Sequence, residues 1–408
     1  MSRRWSRAGT VLGAVLATGA LGLAPAAAAP APASSPTTTT TRALAPDTSF
    51  YVDLQSKAAG QAVTDLRAGR NADALRMAKL ASWPVATWFT GGTTVAQTRQ
   101  DVATLAARAT LRRQVPVLTA YNVPGRDCSQ YSAGGAATTA EYQAWVDGFA
   151  AGLGRARAVV ILEPDGLALS PDQCGGTPEQ QAARVGEINY AVDRLERQPG
   201  ANVYLDAGHS SWHNVGDIAQ RLEDGGIARA QGFFLNVSNY RPDAELTRYG
   251  TMVAKCVWYL ANTAGTGEDC ANQYWPPADA DAWYAAHVPP TAALTHFVVD
   301  TSRNGQGPWT PPAGVYPDPQ DWCNPPARGI GRPPTANTGD ALIDAYLWVK
   351  VPGESDGSCT RGTAGPVDPE WGVVDPAAGV WWPDQVHQLA ALASPRLTFN
   401  PHALLGTR

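Results

Sequence analysis

The stretch "VILEPDGLAL", residues 160–169, joins an aliphatic run to two acids that flank a proline. A short, continuous apolar run is typical of a strand buried on both faces, as in a parallel sheet covered by helices. Two carboxyl groups at the end of such a strand are costly to bury unless they are used. The stretch therefore predicts a buried strand that ends at a functional site.

Six further apolar runs resemble this one, and helical patterns lie between most of them. The predicted strands are "PVATWF" (84–89), "VPVLTAY" (115–121), "AVVILEP" (158–164), "NVYLDAG" (202–208), "GFFLNV" (232–237), "THFVVD" (295–300) and "AYLWVK" (345–350). Strands that alternate with helices form a parallel sheet, either open or closed into a barrel. We expect an α/β fold with about seven parallel strands in one catalytic domain.

Almost every predicted strand ends in a polar or aromatic residue. The residues at these ends are Trp88, Tyr121, Glu163 with Asp165, Asp206, Asn236, Asp300 and Lys350. One such residue alone is more often a helix cap or a turn former. In α/β barrels, however, the carboxyl ends of the strands carry the active site, and so many polar ends favour that interpretation.

The composition is that of a compact globular protein. Of 408 residues, 44% are hydrophobic and 16% are charged, and the net charge is −5. This balance argues against a disordered chain and against binding to nucleic acid or anionic membranes.

The first residues have the order of a secretory signal. Three arginines (Arg3, Arg4 and Arg7) precede an apolar run that ends at Leu23, and small residues follow. The run is short for a membrane span, so residues 1–29 are predicted to be a cleaved signal peptide rather than an anchor. The arginine pair leaves the twin-arginine export route open. We expect a disordered lead-in over residues 30–47 and the catalytic domain over residues 48–408.

Six cysteines suit an oxidising, extracellular compartment, and none lies in a C-x-x-C pair that would suggest zinc. The sequence alone permits several alternative pairings. Their placement in predicted loops favours Cys128 with Cys174, Cys256 with Cys270 and Cys323 with Cys359.

Acidic and aromatic residues are predicted to meet at the strand ends. The acids are Asp127, Asp165, Asp206, Glu354 and Asp356, and beside them lie Trp88, Tyr121, His209, Trp212 and Trp322. Aromatic rings stack on the faces of sugar rings, while carboxyl groups bond hydroxyls and transfer protons. The combination points to cleavage of a sugar polymer.

The motifs "YNVPGRDC", "ILEPDGLA", "YLDAGHSSW", "VDTSRNG", "DWCNPP", "NTGD" and "LWVKVPGESDG" occur in the order and spacing of glycoside hydrolase family 6. From Phe50 almost to the carboxyl terminus, the chain resembles these inverting β-1,4-glucanases. The resemblance implies a distorted barrel of seven parallel strands, cellulose-type substrates and neither metal nor cofactor.

The resemblance also implies catalytic roles. Asp165 matches the general acid, and Asp127 matches the acid that raises the pKa of that group. Asp356 matches the residue proposed as base, which in this family is disputed because a water chain can link it to the nucleophile. Tyr121 corresponds to a tyrosine beside the distorted sugar ring. An alternative for Asp127 is a plain ion pair with Arg126.

The implied binding residues fall into three groups. Trp88, Trp212 and Trp322 are stacking platforms; Asp206, His209, Asn236, Lys350 and Glu354 bond hydroxyls; Ser132 supplies a hydroxyl on a mobile loop. Each tryptophan taken singly is more often a core residue, and Lys350 with Glu354 is alternatively an ion pair. Thr90 departs from the pattern, because many members carry an acid there. Asp340 is expected to be structural.

The leading hypothesis is a secreted, monomeric, inverting endo-β-1,4-glucanase. The glycine-rich loop from Cys128 to Tyr142 is short and favours an open cleft that admits the middle of a glucan chain. The segment 357–385 is long and carries Trp371, Trp381 and Trp382, so a cellobiohydrolase with a covered cleft is the alternative. A non-catalytic carbohydrate-binding protein is disfavoured by the joint presence of the three predicted catalytic acids.

Overall fold

The computed structural model describes residues 44–403, apart from the side chain of Ser129. Its sheet contains seven parallel strands: β1 (Thr87–Phe89), β2 (Val117–Ala120), β3 (Ala158–Leu162), β4 (Ala201–Asp206), β5 (Gly232–Leu235), β6 (His296–Asp300) and β7 (Ile343–Leu347). Within the described residues the α-helices are α1 (Lys57–Arg67), α2 (Asn71–Ala81), α3 (Val95–Leu111), α4 (Thr139–Leu153), α5 (Pro178–Glu196), α6 (Val215–Asp224), α7 (Asp243–Asn262), α8 (Pro277–His287) and α9 (Pro383–Ala391).

Each strand pairs with the next strand in the chain, so the sheet order is β1 to β7. The sheet curls until its edges approach one another, and the N–H of Ala86, just before β1, donates to the carbonyl of Trp348, just after β7, at 2.9 Å. The prediction of an α/β fold with a distorted barrel of seven parallel strands is confirmed.

Alternate residues of each strand face two different cores. Val159 and Ile161 of β3 lie in the barrel interior with Tyr204 of β4 and Phe234 of β5. Their strand neighbours, such as Val160, pack outwards against helices α3 to α8. Burial on both faces explains why these strands appear in the sequence as continuous apolar runs.

Most strands end a few residues before their predicted boundaries, because the polar residues at the strand ends no longer pair with the neighbouring strand. After β7, the N–H groups of Val349 and Lys350 donate to the carboxylate of Asp300 at 3.1 and 3.0 Å. The exits therefore carry side chains that turn into the upper end of the barrel.

Three disulfides join the predicted pairs. Cys128–Cys174 links the loops that follow β2 and β3, Cys256–Cys270 braces the end of α7, and Cys323–Cys359 links the β6–β7 connection to the loop after β7. Two of the three bridges thus hold loops above the carboxyl ends of the strands.

The predicted signal peptide and most of the lead-in lie outside the described residues. Leu44 packs in the barrel interior and is only 6% exposed, so residues 44–47, expected in the lead-in, belong to the folded part. Between residues 44 and 403, none of the helices combines the length and the apolar character needed to cross a membrane.

Candidate active site

A cleft of about 850 Å³ lies at the carboxyl ends of the strands. It brings together nearly all of the predicted catalytic and binding residues. They are Trp88, Tyr121, Asp127, Ser132, Asp165, Asp206, His209, Trp212, Trp322, Lys350, Glu354 and Asp356.

Asn236 does not line the cleft, and its role as a hydroxyl-bonding residue stays a prediction. Its side chain is fully buried. Its amide donates to the carbonyl of Asp300 at 2.8 Å, and its oxygen accepts the N–H of Arg241 at 2.9 Å. The following residues, 237–239, line the cleft instead, because the backbone turns at Asn236 with a φ of 71°.

Asp165 lies just beyond β3, where the backbone turns sharply. Glu163 and Asp165 have φ values of 51° and 65°, which are uncommon for residues other than glycine. The Tyr121 hydroxyl donates to Asp165 Oδ2 at 3.4 Å. Burial, followed by the charges of Asp206 and Asp127, raises the pKa of Asp165 to about 8. The carboxyl group is therefore suited to hold its proton at neutral pH.

Asp127 lies in the loop after β2, which Arg126 holds in place. The Arg126 guanidinium donates to the carbonyls of Tyr121 and Thr90 at 2.6 and 2.7 Å. Asp127 accepts the N–H of Ser132 at 2.6 Å. Burial raises the pKa of Asp127, against the effects of that N–H and of Arg126. In the described part of the chain no ion pair joins Arg126 to Asp127, so the ion-pair alternative is not supported.

Asp206 lies at the end of β4. Its carboxylate accepts hydrogen bonds from the backbone N–H groups of Ala168 and Gly208, each at 3.0 Å. Nearby, the His213 ring lies between Asp217 Oδ2 at 2.6 Å and the Ala168 carbonyl at 2.7 Å. Both partners can accept a hydrogen bond from the ring. Burial raises the pKa of Asp206, and these N–H groups and the His213 charge oppose that rise.

Asp356, on the other side of the cleft, is surrounded by hydrogen-bond donors. Arg303 Nη1 lies 2.8 Å from Oδ2, and Lys350 Nζ lies 3.1 Å from Oδ1. The N–H of Asn324 also donates to Oδ2 at 2.9 Å. Burial alone would raise the pKa of Asp356, but the charges of Arg303 and Lys350 lower it to about 2. This carboxylate is therefore ionised at neutral and mildly acidic pH.

Arg303 and Asn324 were not predicted as site residues. The Asn324 side-chain oxygen accepts the N–H of Asp356 at 2.8 Å, so Asn324 holds both the backbone and the carboxylate of Asp356. Arg361 is fully buried and donates to the carbonyls of Gln320 and Cys323, each at 2.6 Å. The motifs "VDTSRNG" and "DWCNPP" contain Arg303 and Asn324, and these motifs were the available signal.

Glu163 was identified only as a strand-end acid. It is fully buried, and its Oε2 accepts the N–H groups of Asn122 and Val123 at 2.8 and 3.0 Å. Burial raises the pKa of Glu163 to about 7 against those two bonds. Glu163 therefore ties the exit of β3 to the loop that carries Asp127.

The three predicted platforms are held differently. Trp88 donates from its ring nitrogen to the carbonyl of Val349 at 2.8 Å. Trp212 lies between His209 and His213, with ring centroids 5.8 and 5.1 Å away. Trp322 is 37% exposed. All three side chains retain a surface in the cleft, in contrast to fully buried core tryptophans.

Lys350 and Glu354 do not pair with each other among the described residues. Lys350 pairs with Asp356, whereas Glu354 Oε1 pairs with Lys57 Nζ at 2.5 Å. Burial, followed by the charge of Arg241, lowers the pKa of His209 to about 3, so its ring is neutral in the cleft.

Tyr131, in the loop after β2, reaches the opposite side of the cleft. Its ring centroid lies 6.0 Å from that of Trp322, and its hydroxyl accepts from Gln320 Nε2 at 3.2 Å. Gly357 packs so tightly against it that a Cβ there would lie 2.4 Å from the Tyr131 Cβ. The short loop thus extends further across the cleft than its length suggested.

The segment 357–385 contributes residues 378–380 to the cleft lining. Its tryptophans point elsewhere: Trp371 and Trp382 pack with ring centroids 4.5 Å apart, and Trp381 donates to Gln61 Oε1 at 3.2 Å. These rings therefore support the domain and do not form a roof over the cleft.

Cys359, Asp368 and Asp375 lie close enough to surround a metal ion. The Cys359 sulfur, however, is bonded to Cys323, and Asp368 pairs with Arg361 at 2.7 Å. The cluster is better explained as part of the buried support beneath Asp356.

A parallel α/β barrel with one protonated and one ionised carboxyl group in an aromatic-lined cleft defines a glycoside hydrolase. The chain belongs to the glycosyl hydrolases family 6, whose family model matches residues 45–393.

Several relatives support this assignment. Endoglucanase A of Cellulomonas fimi is 34% identical over 345 residues, covering 85% of this chain and 61% of that protein. Endoglucanase 1 of Streptomyces halstedii is 37% identical over 326 residues, covering 79% and 86%. The structure of the endoglucanase Cel6 from Mycobacterium tuberculosis, in complex with methyl-cellobiosyl-4-deoxy-4-thio-β-D-cellobioside, has a TM-score of 0.66 and 36% identity, covering 85% and 98%. The chain spans about three fifths of the length of the Cellulomonas relative.

Proposed function

We propose that the protein is an inverting endo-β-1,4-glucanase that hydrolyses internal bonds of cellulose-type glucans. The observation that carries the proposal is the opposite protonation of two carboxyl groups in one cleft, with the pKa of Asp165 near 8 and that of Asp356 near 2. Inverting hydrolysis needs one carboxyl group that donates a proton and one that accepts a proton. The endoglucanase names of the relatives agree with this substrate class.

Asp165 is the proposed general acid. Its proton passes to the glycosidic oxygen as the bond to the anomeric carbon breaks, which leaves Asp165 as a carboxylate. Asp127 and Asp206 favour the protonated state before the reaction, because a negative neighbour disfavours ionisation. Tyr121 donates to Asp165 at 3.4 Å and is proposed to lie beside the sugar ring.

Asp356 is the proposed base. It accepts a proton from the attacking water, directly or through a second water, while the oxygen bonds to the anomeric carbon from the opposite face. Lys350 contacts Asp356 in the structure, so we propose that it orients this carboxylate as well as bonding a substrate hydroxyl. Asn324 and Arg303 hold the Asp356 carboxylate in place through their contacts with Oδ2.

Stacking and hydrogen bonding are proposed to position the glucan. Trp88, Trp212 and Trp322 stack on sugar faces. The neutral His209 accepts the N–H of Ser211 at Nδ1, which leaves its Nε2–H as a donor to a hydroxyl. The remaining predicted contacts are made by Ser132, Asp206 and Glu354.

A cellobiohydrolase is the second candidate, and the contact of Tyr131 with Trp322 and Gln320 favours it. The endoglucanase proposal rests on the segment 357–385, whose tryptophans pack into the domain and leave the cleft unroofed there. We therefore retain internal cleavage as the conclusion.

We also propose that the protein acts as a secreted monomer. The three disulfides suit an oxidising compartment, and residues 1–29 have the order of a signal peptide. Amino-terminal sequencing of the exported protein checks the cleavage, and light scattering checks the monomer.

Product analysis tests the proposed activity. Carboxymethylcellulose should lose viscosity quickly while few reducing ends appear, and the first product anomer seen by proton NMR on cellopentaose should be α. Cellobiose as the dominant early product with little loss of viscosity would identify a cellobiohydrolase. A β-anomer formed first would reject the inverting mechanism.

A further inference from the structure

Few large aromatic side chains are exposed in the described part of the chain. Those with the greatest exposure are Tyr274 at 69%, Phe399 at 48%, Trp275 at 40% and Trp322 at 37%. Trp322 lies in the cleft, whereas Tyr274 and Trp275 are adjacent residues that do not line it. Two neighbouring rings left in solvent are costly unless something covers them.

The backbone around these two rings is firmly held. The N–H of Tyr274 donates to Asn272 Oδ1 at 3.0 Å, and the N–H of Trp275 donates to the Asn272 carbonyl at 3.1 Å. Pro276 and Pro277 follow and begin α8. A rigid turn presents aromatic surface at a low cost in conformational entropy on binding.

This turn is attached to the rim of the cleft. Gln273 Nε2 donates to the carbonyls of Ser210 and His213, at 2.9 and 2.8 Å. Between these two residues lie Ser211 and Trp212, which line the cleft. The exposed pair is therefore continuous with the loop that carries one of the proposed glucan platforms.

The chemistry of the surface suits a neutral sugar. In the described residues, neither the Tyr274 hydroxyl nor the Trp275 ring nitrogen donates a hydrogen bond to the protein. Arg248, which donates to the carbonyl of Pro277 at 3.1 Å, is paired with Asp281 at 3.1 Å. Flat rings with a free hydroxyl and a free N–H match the apolar faces and hydroxyl edges of glucose units.

We propose that Tyr274 and Trp275 form an auxiliary binding platform for a β-1,4-glucan chain, beside the Trp212 end of the cleft. This inference rests on the proposed function for the class of ligand. The platform holds long chains and cellulose surfaces, while the cleft holds the units that are cut.

Affinity electrophoresis in native gels that contain hydroxyethylcellulose tests the platform, with the double variant Tyr274→Ala/Trp275→Ala in an Asp165→Asn background. Stacking of this kind is worth about 0.5 to 1.5 kcal/mol per ring, so the loss of two rings should raise the dissociation constant roughly five- to 150-fold. Phe399→Ala is the matched control, because Phe399 is an exposed ring in a separate groove with Leu54 and Ala59. The control should migrate like its parent.

The outcomes separate this inference from the proposed function. Loss of retardation in the double variant alone supports the platform, provided that the same two substitutions in the active enzyme lower kcat/KM more on the polymer than on cellotetraose. Equal retardation of double variant and parent, or an equal loss in Phe399→Ala, overturns the platform and leaves the glucanase proposal intact. A parent that does not bind glucan, together with an unsubstituted enzyme that does not hydrolyse it, overturns both.

Discussion

The two sides of the cleft keep carboxyl groups in opposite protonation states, although burial raises the pKa on both. Asp165 has two further acids, Asp206 and Asp127, as its main charged neighbours. Asp356 has Arg303 and Lys350. The sign of the neighbouring charge therefore decides which group is protonated, and one fold can supply an acid and a base at the same pH.

Cations are present near the Asp165 side as well, but they are directed elsewhere. Arg126 lies in the same loop as Asp127, yet its guanidinium bonds the carbonyls of Tyr121, Thr90 and Ser132. On the Asp356 side, Arg303 is fully buried and its guanidinium contacts the carboxylate directly. An arginine is present on both sides, and the two sides differ in which groups its guanidinium contacts.

Removing the acid should have the largest effect. Asp165→Asn keeps the shape of the side chain but cannot donate the carboxyl proton, so the rate on β-1,4-glucan should fall about 10²- to 10⁴-fold. Activity should recover on dinitrophenyl cellobioside, whose leaving group needs no proton. Asp172→Asn, which changes a half-exposed acid paired with Arg221, is the control. Equal losses on both substrates would remove Asp165 from the acid role.

Removing a cation from the other side should have the next largest effect. Arg303→Met removes a positive charge that pairs with the buried carboxylate of Asp356. The free energy of unfolding should therefore fall by about 3 to 5 kcal/mol in denaturant titrations. The pKa of Asp356 should rise, because the charge that lowers it is lost. Since the base must be ionised, the acidic limb of the kcat/KM profile should move to higher pH.

Arg303→Lys keeps the charge and controls for the loss of packing. It should retain most of the stability and place the acidic limb near that of the parent. If Arg303→Met folds and its acidic limb does not move, the titration of Asp356 does not govern that limb.

A smaller effect is expected from Asp127→Asn. The negative charge of Asp127 raises the pKa of Asp165, so its removal should lower that pKa. Activity requires Asp165 to be protonated, and the alkaline limb of the profile should therefore move to lower pH. Glu141→Gln, an exposed acid in α4, should leave the limb in place. An alkaline limb that stays fixed in Asp127→Asn would disprove the coupling.

Much of the Asp165 side could be predicted from the sequence, because it depends on strand ends. Burial on both faces gives β3 its apolar run, and chain direction then places Asp165 at the upper end of the barrel. The same reasoning placed Trp88, Tyr121 and Asp206 in one cleft. It did not anticipate the burial of Asn236, because a strand-end position does not reveal whether a side chain turns into the cleft or under it.

The support of Asp356 could not be predicted, because it depends on contacts between distant loops. Asn324 and Asp356 are 32 positions apart, and Arg303 and Asp356 are 53 apart. No periodic pattern links such positions. The position of Tyr131 against Trp322 likewise depends on how two irregular loops meet.

The contact of Tyr131 joins the two sides of the cleft, and its removal should have the smallest effect of the four. Tyr131→Ala loses the ring that packs near Trp322 and against Gly357, so the loop after β2 should open more readily. A more open cleft releases the chain after each cut. The loss of carboxymethylcellulose viscosity per new reducing end should then rise by roughly twofold.

Tyr131→Phe separates the ring from the hydroxyl. It keeps the packing with Trp322 and loses only the bond to Gln320, so its viscosity loss per reducing end should stay near that of the parent. If the Phe variant behaves like Tyr131→Ala, the hydroxyl bond rather than the ring closes the cleft. If neither variant changes the ratio, the contact does not enclose the substrate. In that case the loops on the two sides of the cleft act independently. The two sides then differ only in the charges that surround Asp165 and Asp356.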